Sequence, residues 1–433
     1  MTSESLTTSL VSWFLLACSS AQFIYWSAVW VQFVRTVRSI PPASRGRERA
    51  ALKSQSSTPE DSPALCVIVP AHNEETCIRE VALSLLAQDY PEHAVSWIFA
   101  LDRCTDGTRR VLESALAEAP PGRRARCSIL EIDACPPDFA GKSHALWRAV
   151  HDAPAAQSAN LLAFIDADTT LAPDCLRLSV DLLSRRGLAL LSLLSTLTNN
   201  EAFERIAQPA ATLELVRQFP ILRANSLDGR PARRPFANGQ FILVRRDAYR
   251  TFGGHEARRA EVLEDVELAR QAARFHYPTG VFIADGLISC RMYQRYDEFV
   301  HGWKRIFRES CNNRPGRMRR AALRTVVLGA VLPALCLLAV LLGVVQFTPL
   351  LTPADEAGRW LRVALVASGL LGLIAFYSIL LVAYRIGHTG ALWALAYPVG
   401  AIQVAGILRA AAREQEAGVP IRWGGREYHR PTR

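Results

Sequence analysis

The sequence has no C-x-x-C pair; its ten cysteines (Cys18, Cys66, Cys77, Cys104, Cys127, Cys135, Cys175, Cys290, Cys311, Cys336) stand singly. That spacing argues against a zinc ribbon or a disulfide framework and points to reduced thiols, as in a cytosolic domain. No acidic residue falls inside its long apolar runs, which removes the ionisable groups a transport pathway needs. No basic residue precedes the first run, so the charged start of a signal peptide is missing and a retained anchor is expected. The net charge of +10 over 433 residues comes without a nucleic-acid recognition motif. It reads either as a patch against anionic lipid headgroups or as ordinary solvated arginine.

Half of the chain is hydrophobic, which directs attention to membrane segments. Four runs qualify, at 9–34, 322–347, 361–384 and 390–408, each with about the twenty apolar residues that cross hydrocarbon. Arg35, Arg38, Arg45, Arg47, Arg49 and Lys53 follow the first run. The positive-inside bias therefore predicts that the chain starts outside and continues into a cytoplasmic domain, as expected for a bacterial inner-membrane protein. Three further spans would leave the tail outside, although it carries Arg409, Arg413, Arg422, Arg426 and Arg430. Either the last run, interrupted by Pro398 and Gly400, re-enters the membrane, or the bias is broken there.

The expected organisation is an anchor at 1–40, a linker rich in Pro, Ser and charge at 41–63, and a catalytic-sized domain at 64–296. An amphipathic helix in the lipid interface follows at 297–320, then transmembrane helices at 321–410 and a basic tail at 411–433. The interfacial expectation rests on Phe299, Trp303, Ile306 and Phe307 sharing one helical face and Lys304, Arg305 and Arg308 another; a helix packed on the domain is the alternative. Within 64–296, apolar runs (ALCVIVP, VSWIFAL, CSILEI, LLAFID) alternate with helical patterns (from Glu75 to Gln88, from Thr108 to Ala117, SHALWRAV). This alternation predicts an α/β domain with a mostly parallel sheet and its ligand beyond the strand ends.

Polar clusters follow those strands: P-A-H-N-E-E (Pro70 to Glu75), D-R-C-T-D-G-T (Asp102 to Thr108), G-K-S-H-A-L (Gly141 to Leu146) and D-A-D (Asp166 to Asp168). Any one alone is an ordinary turn or cap. Asp166 and Asp168, if extended, point the same way and could share a hard divalent cation with phosphate oxygens. The alternative is a helix beginning at Thr169 and Thr170, with Asp168 merely turning the chain. Glu264 and Asp265 open a predicted helix, where Asp265 is either a cap stabilised by the helix dipole or a general base.

In this order the motifs resemble those of membrane-anchored family 2 glycosyltransferases of the GT-A fold (Rossmann-like). The back half, with N-G-Q-F (238–241), G-G-H-E (253–256), L-E-D-V (263–266), R-M-Y (291–293) and W-G-G-R-E-Y (423–428), is similar to hopene-associated and carotenoid glycosyltransferases, and more distantly to ceramide glucosyltransferases. The resemblance implies a nucleotide-sugar site at Pro70, Asn73, Glu74, Asp102, Asp106, Lys142 and Asp166. It further implies Mg²⁺ or Mn²⁺ on Asp166 and Asp168, and Asp265 as catalytic base. Acceptor-side positions implied by the same motifs are Asn238, Gln240, Glu264, Arg291, Tyr293, Trp303, Trp423, Arg426 and Tyr428. Two departures stand out: Gly424 replaces the usual Arg of the tail motif, and the Q-x-x-R-W signature of processive synthases is replaced by F-V-H-G-W-K-R.

The expected activity is inverting transfer of one hexose from a UDP-sugar to a lipid-borne hydroxyl (carotenoid, hopanoid or similar) at the cytoplasmic membrane face, with no nucleic acid involved. Alternatives are a polyprenyl-phosphate glycosyltransferase, a polysaccharide synthase, or a non-enzymatic scaffold or transporter.

Overall fold

Strands covered on both faces read as unbroken apolar runs, and of the four runs above all but CSILEI, which is half-buried or exposed except at Ile132, are of that kind. In a computed structural model, which describes residues 3–45, 62–226, 229–261, 263–346, 356–423 and 426–428, the four form β1 (Leu65–Ala71), β2 (Val95–Asp102), β3 (Cys127–Ile132) and β4 (Leu161–Ile165). Next along the chain come β5 (Thr169–Leu171), β6 (Leu190–Leu194), β7 (Thr196–Leu197), β8 (Phe241–Arg245), β9 (Thr279–Ile283) and β10 (Ile288–Cys290). The main sheet runs β3-β2-β1-β4-β8-β6-β9, while β5, β10 and β7 form a smaller one. Only β8 opposes its neighbours in the main sheet, lying antiparallel to β4 and β6; the other pairings are parallel.

The longer helices are α1 (Ser3–Ser39), α2 (Ile78–Leu86), α3 (Thr108–Ala117), α4 (Gly141–Asp152), α5 (Cys175–Arg185), α6 (Ala202–Gln218), α7 (Glu264–Arg274), α8 (Tyr296–Ser310), α9 (Pro315–Val326), α10 (Leu332–Gln346), α11 (Glu356–Ile386) and α12 (Tyr397–Glu416). Expected from Glu75, α2 begins three residues later because Glu74 to Cys77 close a turn first, with Cys77 N–H donating to Glu74 C=O at 3.1 Å. The period of two along each strand divides the core. Val67, Val69, Trp97 and Phe99 pack toward α2, α3 and α5, and Cys66, Ile68, Ile98 and Phe164 toward α4 and α7. The strand ends are thereby held rigidly in one row.

Four helices have the length and composition to cross a membrane: Ser9–Ser39, Pro315–Gln346, Gly358–Ile386 and Ala391–Glu416. They do not pack alike. α1, α10 and α11 pack on one another, with Gly369 so close to α10 that a β-carbon there would lie 2.6 Å from the Cys336 carbonyl oxygen. α12 instead packs on α6, α8 and α9. The start of this last segment leaves Leu392, Leu395, Val399 and Ile402 exposed, while Val404, Leu408 and Ala411 are buried.

The apolar face of α8 differs from the expectation of a lipid-facing helix at 297–320. Phe299, Trp303 and Phe307 are buried in one cluster with Ala207, Ala210 and Ala211 of α6 and Val404 and Leu408 of α12. Helical periodicity reveals that a face is apolar but not what covers it, and here protein does. A buried ion cluster fixes the same junction: Glu214 of α6, fully buried, pairs with Arg324 of α9, accepts a hydrogen bond from the Thr325 hydroxyl at 3.0 Å, and lies 3.6 Å from Arg217. Stranding such a buried charge costs on the order of 3–5 kcal/mol, so α6 and α9 are tied more firmly than apolar contact alone would achieve.

The α6–α12 contact depends on Gly400, where a β-carbon would lie 2.0 Å from the Ile206 carbonyl oxygen, whereas Gly406 of the same helix has open space. Gly400→Ala is expected to lower the melting temperature in detergent. Gly406→Ala, gaining about 1 kcal/mol of helix propensity, is expected to leave it unchanged or raise it. Equal effects from the two variants would refute the close-packing account.

Candidate active site

Beyond the ends of β1, β2 and β4 lies a cavity of about 670 Å³. Pro70 reaches it from the end of β1, Glu74 from the loop after β1, Asp102 from β2, Lys142 from the first turn of α4, and Asp166 and Asp168 from the turn that follows β4. Of the nucleotide-side residues, Asn73 and Asp106 do not line it. The Asn73 side-chain oxygen accepts the Thr105 N–H at 2.8 Å, and Asp106 accepts the N–H groups of Glu75 at 3.2 Å and Thr108 at 3.0 Å. Both side chains brace the two loops against each other. Asn73 takes a positive φ of 58°, which its short amide side chain tolerates better than most.

Asp166 and Asp168 are not extended. Thr169 N–H donates to the Asp166 carbonyl at 3.1 Å, so the pair sits in a turn that leads into β5 rather than into a helix. Both carboxylates still line one cavity. Burial pushes the Asp166 carboxyl up to about 6, opposed by Lys142 and reinforced by Asp168 and Glu264; Asp168 is raised by burial and then by Glu74.

Lys142 organises the charges. Its ammonium lies 2.6 Å from Asp166 Oδ1 and 2.6 Å from Glu264 Oε1. Burial works against that charge, but Asp166, Glu264 and Asp265 outweigh it and hold the pKa above the ordinary lysine value. Asp265, the second residue of α7, accepts the Gly239 N–H on Oδ2 and the Val266 N–H on Oδ1, each at 2.7 Å. Burial and the neighbouring Glu264 push its carboxyl up to about 7, against Lys142 and the two N–H groups. An acid group poised near neutrality, with a fixed orientation, can accept a proton.

The model of the "glycosyltransferase like family 2" domain matches residues 63–310, more than half of the chain. The chain belongs to the family 2 glycosyltransferases. It is 28% identical over 244 residues to the 4,4'-diaponeurosporenoate glycosyltransferase of Staphylococcus aureus, an alignment covering 55% of this chain and 60% of that protein. The chain thus spans less than two thirds of the length of this curated relative. Among solved structures, the mannosyltransferase PcManGT of Pyrobaculum calidifontis, in complex with GDP-Man and Mn²⁺, is 19% identical at a TM-score of 0.45, with 92% of this chain and 99% of that one covered. S. aureus TarS 1-349 with UDP-GlcNAc is 12% identical at 0.39, covering 84% and 96%.

In this member of the family, the D-A-D turn suits a divalent cation. Two half-buried carboxylates two residues apart repel each other, and oxygen donors are what Mg²⁺ and Mn²⁺ take. Among the described residues no group of three protein ligands surrounds a cation position, so phosphate oxygens would have to complete the shell.

On the acceptor side, the Asn238 amide donates to the Leu193 carbonyl at 3.1 Å, and that of Gln240 to Cys290 Sγ at 2.9 Å. Arg291 is exposed and lines neither this cavity nor the apolar one beside it. Tyr293 lines the charged cavity and fills the space over Gly302, where a β-carbon would lie 1.9 Å from its hydroxyl. Trp303 is buried on the far side. Val419 to Ile421 and Tyr428 close one side of the charged cavity, the Gly141 N–H donating to the Tyr428 hydroxyl at 3.3 Å. The tail forms a hairpin of β11 (Ile421–Trp423) and β12 (Arg426–Tyr428), with Trp423 opposite Arg426; the side chains of these two lie outside the described structure.

Sequence reasoning missed Gly239 and Arg103. The guanidinium of Arg103 clasps Asp102 at 2.9 and 2.6 Å, and its position directly after a motif carboxylate was the available signal. A β-carbon on Gly239 would lie 2.9 Å from Lys142 Nζ, 3.2 Å from Asp265 Oδ2 and 3.3 Å from Glu264 Oε1. Gly239→Ala is therefore expected to displace all three and lower kcat about a hundred-fold, the scale of a 1 Å misplacement. A kinetic assay showing near-normal kcat would mean the three groups are not held in register by this backbone.

Proposed function

We propose that the chain transfers a single hexose from a nucleotide-diphosphate sugar, a UDP-sugar, to a lipid-borne hydroxyl, with inversion at the anomeric carbon. The observation that carries this reading is Asp265: a carboxylate fixed by two backbone N–H groups, charged-cavity groups on one side and an apolar chamber on the other.

Pro70, Glu74 and Asp102 line the cavity in which the nucleotide would lie. Asp166 and Asp168 would hold the divalent cation, Mg²⁺ or Mn²⁺, which when bound neutralises charge on the departing diphosphate. Asp265 removes the acceptor hydroxyl proton. The oxygen forms its bond to the anomeric carbon as the bond from that carbon to the diphosphate oxygen breaks, on the opposite face. Lys142, shared between Asp166 and Glu264, keeps the donor-side and base-side carboxylates in register. Tyr293 over Gly302 fills space that a processive enzyme needs for its Arg, which favours one transfer over polymerisation.

The packing supports three crossings, by α1, α10 and α11, with the last segment lying in the interface through Leu392, Leu395, Val399 and Ile402. The tail then stays on the catalytic side, as its arginines require. Ala417→Cys is expected to gain no label from an impermeant maleimide in intact cells and one label after the cells are opened. Labelling in intact cells would overturn this topology.

A screen of UDP-sugars and GDP-mannose against a total lipid extract tests the reaction, with a monoglycosylated lipid expected by mass spectrometry and a ladder of oligomers arguing against it. Asp265→Asn is expected to lower kcat by at least 10² with nucleotide binding intact. Because Asp265 must be ionised to accept a proton and titrates near 7, kcat should fall as pH drops below 7 and level off above it. A flat profile down to pH 5 would exclude Asp265 as the base.

A further inference from the structure

Beside the charged cavity is a second of about 160 Å³, walled by Leu215, Val216, Phe219, Phe236, Val281 and Ile306. Asp265 is the one charged residue in its described lining, and Gln240 and Met292 line both cavities. We infer that this chamber receives the apolar group adjoining the accepting hydroxyl of a lipid acceptor; the inference rests on Asp265 being the base.

Three observations converge on that occupant. The first is position: an acceptor oxygen placed at Asp265 carries its attached carbon skeleton away from the charged cavity, and the chamber is the apolar space that begins at the same carboxylate. The second is orientation in the fold. The chamber lies between α6 and α8, the helices on which α12 is seated. Another side of α6 carries Glu214 bound to α9, and Arg217 over the ring of Trp26 in α1 at 5.7 Å. The chamber is thus on the side of the domain that meets the helical bundle, where a lipid arrives.

The third is capacity. A cavity near 150 Å³ accommodates a benzene-sized group, so 160 Å³ fits one ring or one isoprenoid unit. Trp303, 2% exposed, belongs to the same wall, and its indole N–H has no hydrogen-bond partner among the described residues.

A farnesol-length alcohol carrying a diazirine near its hydroxyl end, presented in bicelles, tests the assignment. Photolysis is expected to label the segments 212–221 and 303–310. Val216→Trp, which fills the chamber, is expected to reduce that labelling at least ten-fold while calorimetry shows unchanged UDP and Mn²⁺ binding. Label confined to the outer faces of α1, α10 and α11, or equal label in the filled variant, would overturn the inference. Should Val216→Trp lose UDP binding, Leu215→Ala serves instead. Enlarging the chamber should then increase labelling by a probe with a ring beside its hydroxyl, and no increase counts against it. The two readings fail separately: a lipid product formed equally well by the filled variant removes the chamber and keeps the reaction, whereas chamber labelling without any glycosylated lipid removes the reaction and keeps the chamber.

Discussion

One ammonium holds the site together. Lys142 touches Asp166 and Glu264 at 2.6 Å each and is drawn by Asp265 as well, so a single half-buried ammonium serves three carboxylates, of which Glu264 is buried and the other two half-buried. Burying a charge without a partner costs several kcal/mol, and one lysine cannot cancel three acids. In this cluster burial first, and neighbouring carboxylates after it, raise the acid pKa values of Asp166, Asp168 and Asp265. Such a cluster is relieved by a cation, which is the electrostatic condition for taking up a metal with a diphosphate. The same arithmetic explains why Gly239 has no side chain: the converging groups leave no room for one.

The second constraint is mechanical. α6 connects the catalytic sheet to the apolar helices through opposite requirements on its faces. Ala207, Ala210 and Ala211 allow α12 to approach closely, Glu214 ties α9 through a buried ion cluster, and Leu215 and Val216 wall the chamber beside Asp265. A shift of α6 would therefore move the chamber wall and the seating of the bundle together.

The strands and the donor-side carboxylates were legible because a parallel strand buried on both faces is an unbroken apolar run, and its ligand-facing residues must follow it directly. Asp166 and Asp168 line the cavity directly after β4, as that rule expects, whereas Lys142 reaches it from the first turn of α4, away from any strand end. Asn73 and Asp106 were misplaced relative to the cavity because a polar residue after a strand looks the same in sequence whether it meets a ligand or braces a loop. α8 carried the periodicity of an interfacial helix, yet Phe299, Trp303 and Phe307 are covered by α6 and α12, elements roughly a hundred residues away on either side. Composition could not distinguish α12 from the three mutually packed helices either; the decisive feature, Gly400 against the Ile206 carbonyl, is a contact between distant segments. Gly239 was invisible as a site residue since its role is the absence of atoms.

The region where the processive signature is missing shows how such an absence can be structural rather than a loss. The position before Trp303 is Gly302, and a side chain there would meet the Tyr293 hydroxyl at 1.9 Å. Tyr293 in its present place and an arginine at 302 are therefore mutually exclusive without a shift of α8. Because α8 is pinned by Phe299 and Phe307 in a buried cluster and by Arg308 to the Gln415 side chain and the Val419 carbonyl, that shift would disturb α12 and the tail segment closing the cavity. The phenol thus occupies part of the charged cavity, while the space beside Asp265 is lined mostly by apolar side chains.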